Sequence, residues 1–419
     1  MTHRAPDRPL RDHLEVLLIV GGLSAFAPLS SDLYLAGLPQ LATDLGATTS
    51  QAQLTLTASL AGLALGQLVV GPASDRLGRR GPLLAGLALY TVVSVLCAVA
   101  TDIWVFTALR LLQGLGGAAG IVISRAVIRD HFWGSALVRA FALAMLVNGL
   151  APILAPTLGA LLLPSVGWRG LFLVLAGIGG ALLAISAFRL PESLPPERRR
   201  HGGLATVGRA YAGLLRDRAF MGYVMSAALA FAAMFAYIGS SPFIVQELYG
   251  QTPGTFALIF GVNACGLMVA AQTSGLLVGR FGARRLMRTG LVTASLGGVV
   301  LVASALAGTG LWPVLAGFFL VVASYGLVAP NATALAMADQ PHQAGSASAL
   351  MGSIQFLTGA LAAPLAGLGG VGSALPAAVV IAGCAWAALA VSLTLGRPRR
   401  SAAVPADVVS PGAGPGPAP

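Results

Sequence analysis

The 419-residue sequence carries very little charge. Only 9% of its residues are Asp, Glu, Lys or Arg, whereas 56% are hydrophobic and the mean hydropathy is +0.83. A soluble domain usually has about 25% charged residues. So few charged side chains cannot cover the surface of a soluble domain of this size, and the composition therefore predicts an integral membrane protein.

Lysine is absent altogether, so the formal net charge of +11 rests on arginine. A Gly-rich phosphate loop of the ATPase type needs a lysine, and its absence argues against a built-in ATPase. The arginines lie in short loops between apolar runs, a distribution that favours membrane topology over nucleic-acid binding. We therefore predict no nucleic-acid partner.

Residues for catalysis and metal binding are also missing. Cys97, Cys265 and Cys384 each lie in an apolar run without a partner at metal or redox spacing. All five histidines, at positions 3, 13, 131, 201 and 342, fall in predicted loops or termini. No nucleophile–base pair is evident. We predict that the protein is not an enzyme, and that it holds no metal and no cofactor.

What fills the sequence is a series of apolar segments of about 20 residues, the length that crosses a bilayer as a helix. Twelve such segments, spans 1 to 12, are predicted. They are 14–42, 51–72, 82–100, 104–128, 137–163, 169–190, 219–246, 255–279, 286–307, 312–336, 345–368 and 372–396.

Arginines concentrate in the N-terminus, in the loops after even-numbered spans and after span 12, with the loop after span 10 as the exception. The other loops contribute only Arg169. By the positive-inside rule, both termini are predicted to be cytoplasmic, which requires an even number of spans.

A long polar segment near the middle divides the spans into two groups of six. The predicted organisation is a cytoplasmic N-terminus (1–13), an N-terminal six-helix bundle (14–190), a cytoplasmic linker (191–218), a C-terminal six-helix bundle (219–396) and a disordered cytoplasmic tail (397–419). The tail is rich in Pro, Gly and Ala and cannot bury a core.

The two halves share a short repeat. GPASDRLGRR (71–80) follows span 2, GLLVGRFGAR (275–284) follows span 8, and four of the ten aligned positions are identical. Parallel six-span repeats are typical of one large class of transporters. In the first copy the glycines permit a tight turn, and Asp75 can cap a helix or bind an arginine. A plain basic turn is the alternative.

Two further strings lie inside spans. RLLQGLGGAAG (110–120) in span 4 places Arg110 roughly 10 Å from the outer end, with Gln113 one turn further on nearly the same face. Snorkelling of Arg110 towards the outer surface is the alternative role. NGLAPILAPTLGA (148–160) in span 5 has two prolines four residues apart, which are expected to bend the helix.

These strings resemble signatures of the major facilitator superfamily. The first repeat copy is similar to the cytoplasmic loop signature, in which an aspartate and an arginine latch the inner gate. The span-4 string resembles a signature of proton-coupled members. The span-5 string resembles the antiporter signature, with small residues replacing two of its glycines. The matching positions are Gly71, Asp75, Arg76, Gly78, Arg79 and Arg80 for the loop and Asn148, Gly149, Pro152, Pro156 and Gly159 for span 5.

SSDLYLAGLPQL in span 1, SSPFIVQELYG at the end of span 7 and VAPNATALAM in span 10 are similar to the Bcr/CflA group of drug exporters. The resemblance runs over spans 1 to 11. It implies an all-α fold with twelve transmembrane helices in two pseudo-symmetric six-helix bundles, placed in a bacterial cytoplasmic membrane. It also implies a monomeric antiporter that exchanges protons for small drugs.

Asp32 is the unusual residue of span 1, because a carboxylate at bilayer depth costs roughly 2.5–3.5 kcal/mol or more. It lies at a depth similar to that of Arg110, and the resemblance implies that spans 1 and 4 both line a central cavity. We therefore predict that Asp32 pairs with Arg110 and binds the transported proton. Desolvation favours the neutral acid and a nearby arginine favours the carboxylate, so proton and drug can compete. The alternative is that Asp32 lies in the headgroup region or caps a helix break.

The rest of a drug pocket should be apolar and aromatic with a few polar groups. The candidates are Tyr34, Gln113, Met234, Phe235, Tyr237, Asn263, Tyr325 and Asn331. Each can equally serve interhelical packing. The sequence thus predicts a secondary exporter of amphipathic, cationic or neutral drugs that is driven by the proton gradient. A proton-coupled symporter or a metabolite exporter on the same fold is the alternative.

Overall fold

The computed structural model describes residues 14–132, 134–199, 211–338, 340, 344–368, 370 and 372–395. For 14, 27–28, 134–139, 141–153, 198 and 344–346 it describes the backbone alone. The predicted N-terminus (1–13) and tail (397–419) lie outside the described residues, as does part of the predicted linker.

Within these residues every predicted span is a helix, and no strand occurs in the described part of the chain. The helices are Leu14–Asp32 followed by Leu38–Asp44, Thr49–Leu77, Arg80–Val99, Ile103–His131, Gly134–Arg189, Arg218–Phe243 continued by Ile244–Leu248, Pro253–Phe281, Ala283–Ala307, Leu311–Met337, Ala344–Ala366 and Leu375–Thr394. Gly134–Arg189 contains spans 5 and 6, which Gly167 separates with a left-handed φ of 65°.

Eleven segments of the described chain are long and apolar enough to cross a membrane, and one of them, Leu154–Arg189, runs across Gly167. Several helices extend beyond the predicted windows. Span 2 continues through Asp75 and Arg76 to Leu77, because polar side chains at a membrane surface end the hydrophobic window without ending the helix.

Polar residues in the loops determine where several helices begin. Thr48 and Gln51 form a capping box at the start of span 2. Asp102 accepts hydrogen bonds from the backbone N–H groups of Trp104 and Val105 at 2.8 and 2.9 Å at the start of span 4. Such caps satisfy N–H groups that lack a partner within the helix. The loops before spans 2 and 4 therefore fix where these two helices begin.

Small residues let neighbouring helices approach closely within the N-terminal bundle. A side chain at Gly62 of span 2 would collide with the carbonyl oxygen of Leu111, and one at Gly114 of span 4 would collide with that of Ser59. Without a hydrophobic force between helices in lipid, such close backbone packing supplies much of the association energy. Spans 2 and 4 therefore form a rigid pair.

The two copies of the repeat have the same backbone at their centre. Gly78 ends span 2 with a φ of 97°, and Gly282 ends span 8 with a φ of 79°. Only glycine adopts these angles without strain. The side chains at the acid position differ, since Gly279 of the second copy aligns with Asp75, and Arg284 donates to the Tyr223 hydroxyl at 3.1 Å. The two copies therefore share the turn, whereas the residues around it differ.

We call the side that carries these two turns the basic face and the other side the opposite face. Four hydrogen bonds join the two bundles within the described chain, and all four lie near the opposite face. They are Ser50 Oγ to the Pro364 carbonyl (3.2 Å), Gln53 Nε2 to the Gly239 carbonyl (3.0 Å), Thr57 Oγ1 to the Ala360 carbonyl (2.6 Å) and Gln246 Nε2 to the Ala36 carbonyl (3.2 Å). The bundles are therefore closed against each other at the opposite face.

Thr57→Val should weaken this closure, because valine keeps the shape of threonine and removes the donor to Ala360. The loss of one net hydrogen bond of about 1 kcal/mol shifts the equilibrium between closed and open forms roughly fivefold. Electron–electron distances between spin labels at Ala47 and Gly372 report the change. Thr107→Val is the matched control, since Thr107 donates within its own helix to Ile103. Equal distance distributions for both variants would contradict a role of this bond in closure.

Candidate functional site

Asp32 lies at a break in span 1. The first helix of the span ends at Asp32, a 3-10 turn follows at Leu35–Gly37, and a new helix begins at Leu38. The break that was the alternative to a buried site is therefore present, yet Asp32 is also buried, with 5% of its surface exposed. Its carboxylate accepts a hydrogen bond from the Ser31 hydroxyl. Asp32 is thus both a helix end and a buried acid within the membrane-spanning segment Glu15–Asp44.

Arg110 is fully buried in the N-terminal bundle. Its Nη1 donates to Gln113 Oε1, and both Nη atoms lie 3.5 Å from the Ser30 carbonyl oxygen. The guanidinium lies 4.5 Å from the centre of the Tyr34 ring and 5.5 Å from that of Phe172. Carbonyl, amide and aromatic faces therefore surround the charge, and cation–π contacts of this kind strengthen when water is excluded.

The predicted pairing of Asp32 with Arg110 is wrong for this structure. No ion pair joins them among the described residues, whose ion pairs are Arg79 with Asp75 and Asp130, Arg169 with Asp44 and Arg189 with Glu15. Depth along a helix fixes how far two residues lie from the surface but not the direction in which they project. The Arg110 guanidinium donates to the backbone carbonyl of Ser30, two residues before Asp32, and not to the Asp32 carboxylate.

Tyr34 and Gln113 belong to the same buried network as Arg110. The Tyr34 hydroxyl is 3.0 Å from Thr55 Oγ1, and Gln113 Nε2 donates to Ser94 Oγ at 2.6 Å. Both predicted cavity residues are fully buried. In this conformation they hold the arginine in place and do not face open space.

The predicted cavity residues of the C-terminal bundle form packed clusters of their own. The Tyr237 hydroxyl accepts a hydrogen bond from Asn263 Nδ2 at 2.8 Å, and its ring packs against Phe260 and Phe318 with centres 5.7 and 4.9 Å away. These partners of Tyr237 all belong to the C-terminal bundle.

The other predicted residues lie elsewhere in the same bundle. Asn331 donates to Ser274 Oγ at 2.5 Å and to the Leu327 carbonyl at 2.7 Å. Phe235 and Tyr325 both pack against Phe231, with ring centres 4.7 and 5.7 Å apart. Met234 and Tyr325 are only partly buried. The structure does not bring the eight candidates together in one pocket.

An apolar groove of about 960 Å³ lies between spans 5, 8 and 10. Its lining includes Leu161, Val262, Cys265 and Phe319, and none of the eight predicted cavity residues. It therefore does not contain the predicted drug pocket.

The loop signature forms a cluster of ion pairs at the basic face. Arg79 is buried and donates to Asp75 Oδ1 at 2.6 Å, to Ser74 Oγ at 2.8 Å and to Asp130 Oδ2 at 3.1 Å. Asp75 therefore forms its ion pair with Arg79, four residues later, and not with the adjacent Arg76. This cluster ties the ends of spans 2 and 4 to the start of span 3.

Two acids of this cluster were not among the predicted residues. Asp130 ends span 4, and Glu192 follows span 6, where it accepts the backbone N–H groups of Arg79 (2.8 Å) and Arg80 (3.2 Å). A side chain at Gly78 would collide with Glu192, so the glycine is needed for the contact as well as for the turn. The available signal was that both acids follow predicted spans, 4 and 6, which end on the same side as the signature.

The surroundings of Glu192 shift its ionisation. Partial burial raises the pKa of its carboxyl, but the N–H groups of Arg79, Leu194 and Arg80 and the charge of Arg199 outweigh it and hold the pKa below the ordinary value of 4.5. The carboxylate form is therefore the one that caps the start of span 3.

Part of the antiporter signature lies beside Asp32. A side chain at Gly159 of span 5 would collide with the carbonyl oxygen of Leu33, the residue after Asp32. The helix continues through Pro156, and its backbone departs from helical angles at Gly167. The side chains of Asn148, Gly149 and Pro152 lie outside the described residues. Gly159 thus lets span 5 press against the break in span 1.

Comparison with known proteins gives the family. The model of the Major Facilitator Superfamily matches residues 20–363. The transporter YdgK of Bacillus subtilis, described as an uncharacterized MFS-type transporter, is 38% identical over 364 residues, which cover 85% of this chain and 90% of the relative. A bicyclomycin resistance protein homolog of Haemophilus influenzae is 30% identical over 368 residues, 88% of this chain and 92% of the relative.

The multidrug resistance protein MdtL of Escherichia coli is 30% identical over 346 residues, which cover 83% of this chain and 86% of the relative. Among solved structures, the nucleoside transporter NupG matches with a TM-score of 0.73 at 13% identity, over 92% of this chain and 100% of that chain. The last likeness concerns the fold alone.

A twelve-helix fold in two bundles, with a buried acid and arginine in the first, defines a secondary transporter and not an enzyme. The chain belongs to the major facilitator superfamily, and its named relatives agree with the Bcr/CflA group of drug exporters. It is a multi-pass membrane protein that acts on small molecules.

Glu192→Gln should lower the thermal stability of the purified protein near neutral pH, because the amide lacks the charge that caps span 3. Since the folded pKa of Glu192 is depressed, its contribution is full above the ordinary pKa of 4.5 and is lost as the pH falls through the folded value. The difference in melting temperature between wild type and variant should therefore vanish below that range. Glu197→Gln, at an exposed position five residues on, is the control and should change little. A difference that persists unchanged in acid would refute this role of the charge.

Proposed function

We propose that this transporter exports small amphipathic drugs in exchange for protons, and that Asp32 is the group that binds the proton. The single observation that carries the proposal is the state of Asp32: it is buried at membrane depth and has no ion-pair partner among the described residues, because Arg110 is engaged elsewhere. A buried carboxylate without a partner must be neutralised or solvated. A proton or the polar group of a drug can each do so, but not both at once.

The break in span 1 connects this acid to the closure between the bundles. Ala36 lies four residues after Asp32, in the 3-10 turn that follows the break, and its carbonyl accepts the Gln246 bond from the other bundle. A rearrangement at Asp32 therefore reaches one of the four bonds of the opposite face directly. Four hydrogen bonds at about 0.5–1.5 kcal/mol each amount to roughly 2–6 kcal/mol. A ligand can shift an equilibrium of that size by binding its two states differently.

The orientation in the membrane is part of the proposal. By the positive-inside rule, the arginine-rich loops favour a cytoplasmic basic face with both termini on that side, and we propose the bacterial inner membrane as the location. The structure would then be closed to the outside. The proton gradient is the only energy source that the proposed mechanism needs, and a monomer suffices for it.

The relatives support drugs as the substrate class. Two of them are named for resistance to bicyclomycin and to multiple drugs. The contact of Gly159 with the break in span 1 also joins the antiporter-like helix to the acid. Both observations favour export over uptake.

Asp32→Asn should abolish drug accumulation in everted membrane vesicles, because asparagine cannot exchange a proton. In wild-type vesicles, accumulation of bicyclomycin or of a drug chosen from a susceptibility panel should collapse with a protonophore and be indifferent to ATP. Glu15→Gln is the control, since Glu15 is an exposed acid of the same span that pairs with Arg189. It should leave accumulation unchanged.

If vesicles with Asp32→Asn accumulate the drug as well as wild-type vesicles do, Asp32 is not the proton-binding group. Movement of drug and proton in the same direction would instead support the symporter alternative on the same fold.

A further inference from the structure

A second arginine of span 4, Arg125, lies on the same side of the helix as Arg110. The two residues are 15 positions apart, which is roughly 22 Å along an α-helix and about 60° around it. Arg125 is six residues before the end of span 4 at His131. It therefore lies towards the basic face, below the buried site.

Arg125 is an exposed position in a buried stretch of span 4. The residue itself is exposed, whereas Ser124, Ala126 and Val127 beside it are buried. On the same part of span 4, Val122 lies beside Gly71 of span 2, and the Ser124 hydroxyl accepts a hydrogen bond from Ser24 of span 1 at 3.3 Å. Arg125 follows Ser124 and lies about 60° around the helix from Val122, so it is exposed on the side of span 4 between spans 1 and 2, towards the basic face.

Among the described residues, Arg125 forms no ion pair with an acid, in contrast to Arg79, which binds Asp75 and Asp130. The C-terminal bundle supplies no counter-charge at membrane depth, because the sequence has no Asp or Glu between Leu248 and Ala338 or from Gln340 to Gly396. The closure at the opposite face leaves the basic face as the side from which a substrate can arrive. A substrate on this route therefore meets a net positive charge.

We propose that Arg125 is a specificity-determining residue that makes the entrance of the transport path electropositive, so that it admits substrates with an anionic or strongly hydrogen-bond-accepting group and disfavours permanent cations. The proposal deepens the proposed function, on which it rests for the direction of transport. A guanidinium suits such groups because it presents several donors in a planar fork and stays charged. This narrows the substrate class from amphipathic drugs in general to neutral and anionic ones.

The charge at this entrance is measured without knowing the substrate. Ile121 lies one helical turn from Arg125 on the same face, and Ile121→Cys places a thiol there. The purified variant is treated with an anionic reagent, 2-sulfonatoethyl methanethiosulfonate, or a cationic one, its 2-(trimethylammonio)ethyl analogue. Modification of residue 121 is followed by peptide mass spectrometry, so that the native cysteines need not be removed. The ratio of the two rates, divided by the same ratio for free cysteine, reports the local potential.

With Arg125 present, the corrected ratio should favour the anionic reagent. Arg125→Gln in the same background should lower it roughly tenfold, the size expected for one charge at short range in a partly solvated site. Arg125→Lys should keep most of the preference, because the charge remains.

An unchanged ratio in Arg125→Gln would overturn the proposal. So would a failure of both reagents to modify residue 121, because the entrance would then not be open to solvent. The measurement uses no proton gradient and no drug, so its outcome is separate from that of the Asp32 experiment, and either proposal can fail alone.

Discussion

A charged guanidinium buried at membrane depth must be surrounded by partners, and the way in which Arg110 meets this requirement shapes the rest of the site. Its partners are the Ser30 carbonyl, Gln113 and the faces of Tyr34 and Phe172, all within the N-terminal bundle. Span 1 breaks after Asp32, between the Ser30 carbonyl and Tyr34. Asp32 is left buried without an ion-pair partner in the described chain, and its proposed role as the proton-binding group rests on that condition.

Three arginines in related positions show how surroundings set their roles. Arg79 forms ion pairs with Asp75 and Asp130 and so joins the ends of spans 2 and 4 at the basic face. Arg110 is buried among neutral groups, and Arg125 is exposed and forms no ion pair within the described chain. An arginine side chain therefore serves in one place as an ion-paired contact between helices, in another as a buried charge, and in a third as the proposed charge at the entrance of the transport path. The difference lies in the partners and in access to water.

Composition and hydropathy predicted all twelve helices, because apolar length is a property of each segment by itself. The same reasoning singled out Asp32 and Arg110, since charges stand out against an apolar background. It failed on their pairing, because the direction of a side chain depends on how each helix is rotated against its neighbours. It also missed Asp130 and Glu192, which meet Arg79 from 51 and 113 residues away along the chain and follow no local spacing. The predicted cavity residues were scattered for the same reason.

Asp32 is proposed to take up and release a proton inside the membrane. Infrared difference spectroscopy of the purified protein in lipid tests this role directly, because a protonated carboxyl group has a carbonyl stretch that the carboxylate lacks. We expect a protonated-carboxyl band in the wild type that disappears as the pH is raised through the range in which the protein transports, and no such band in Asp32→Asn. The same pH-dependent band in both proteins would rule out Asp32 as the proton-binding group, since the exchangeable proton would then belong to another residue.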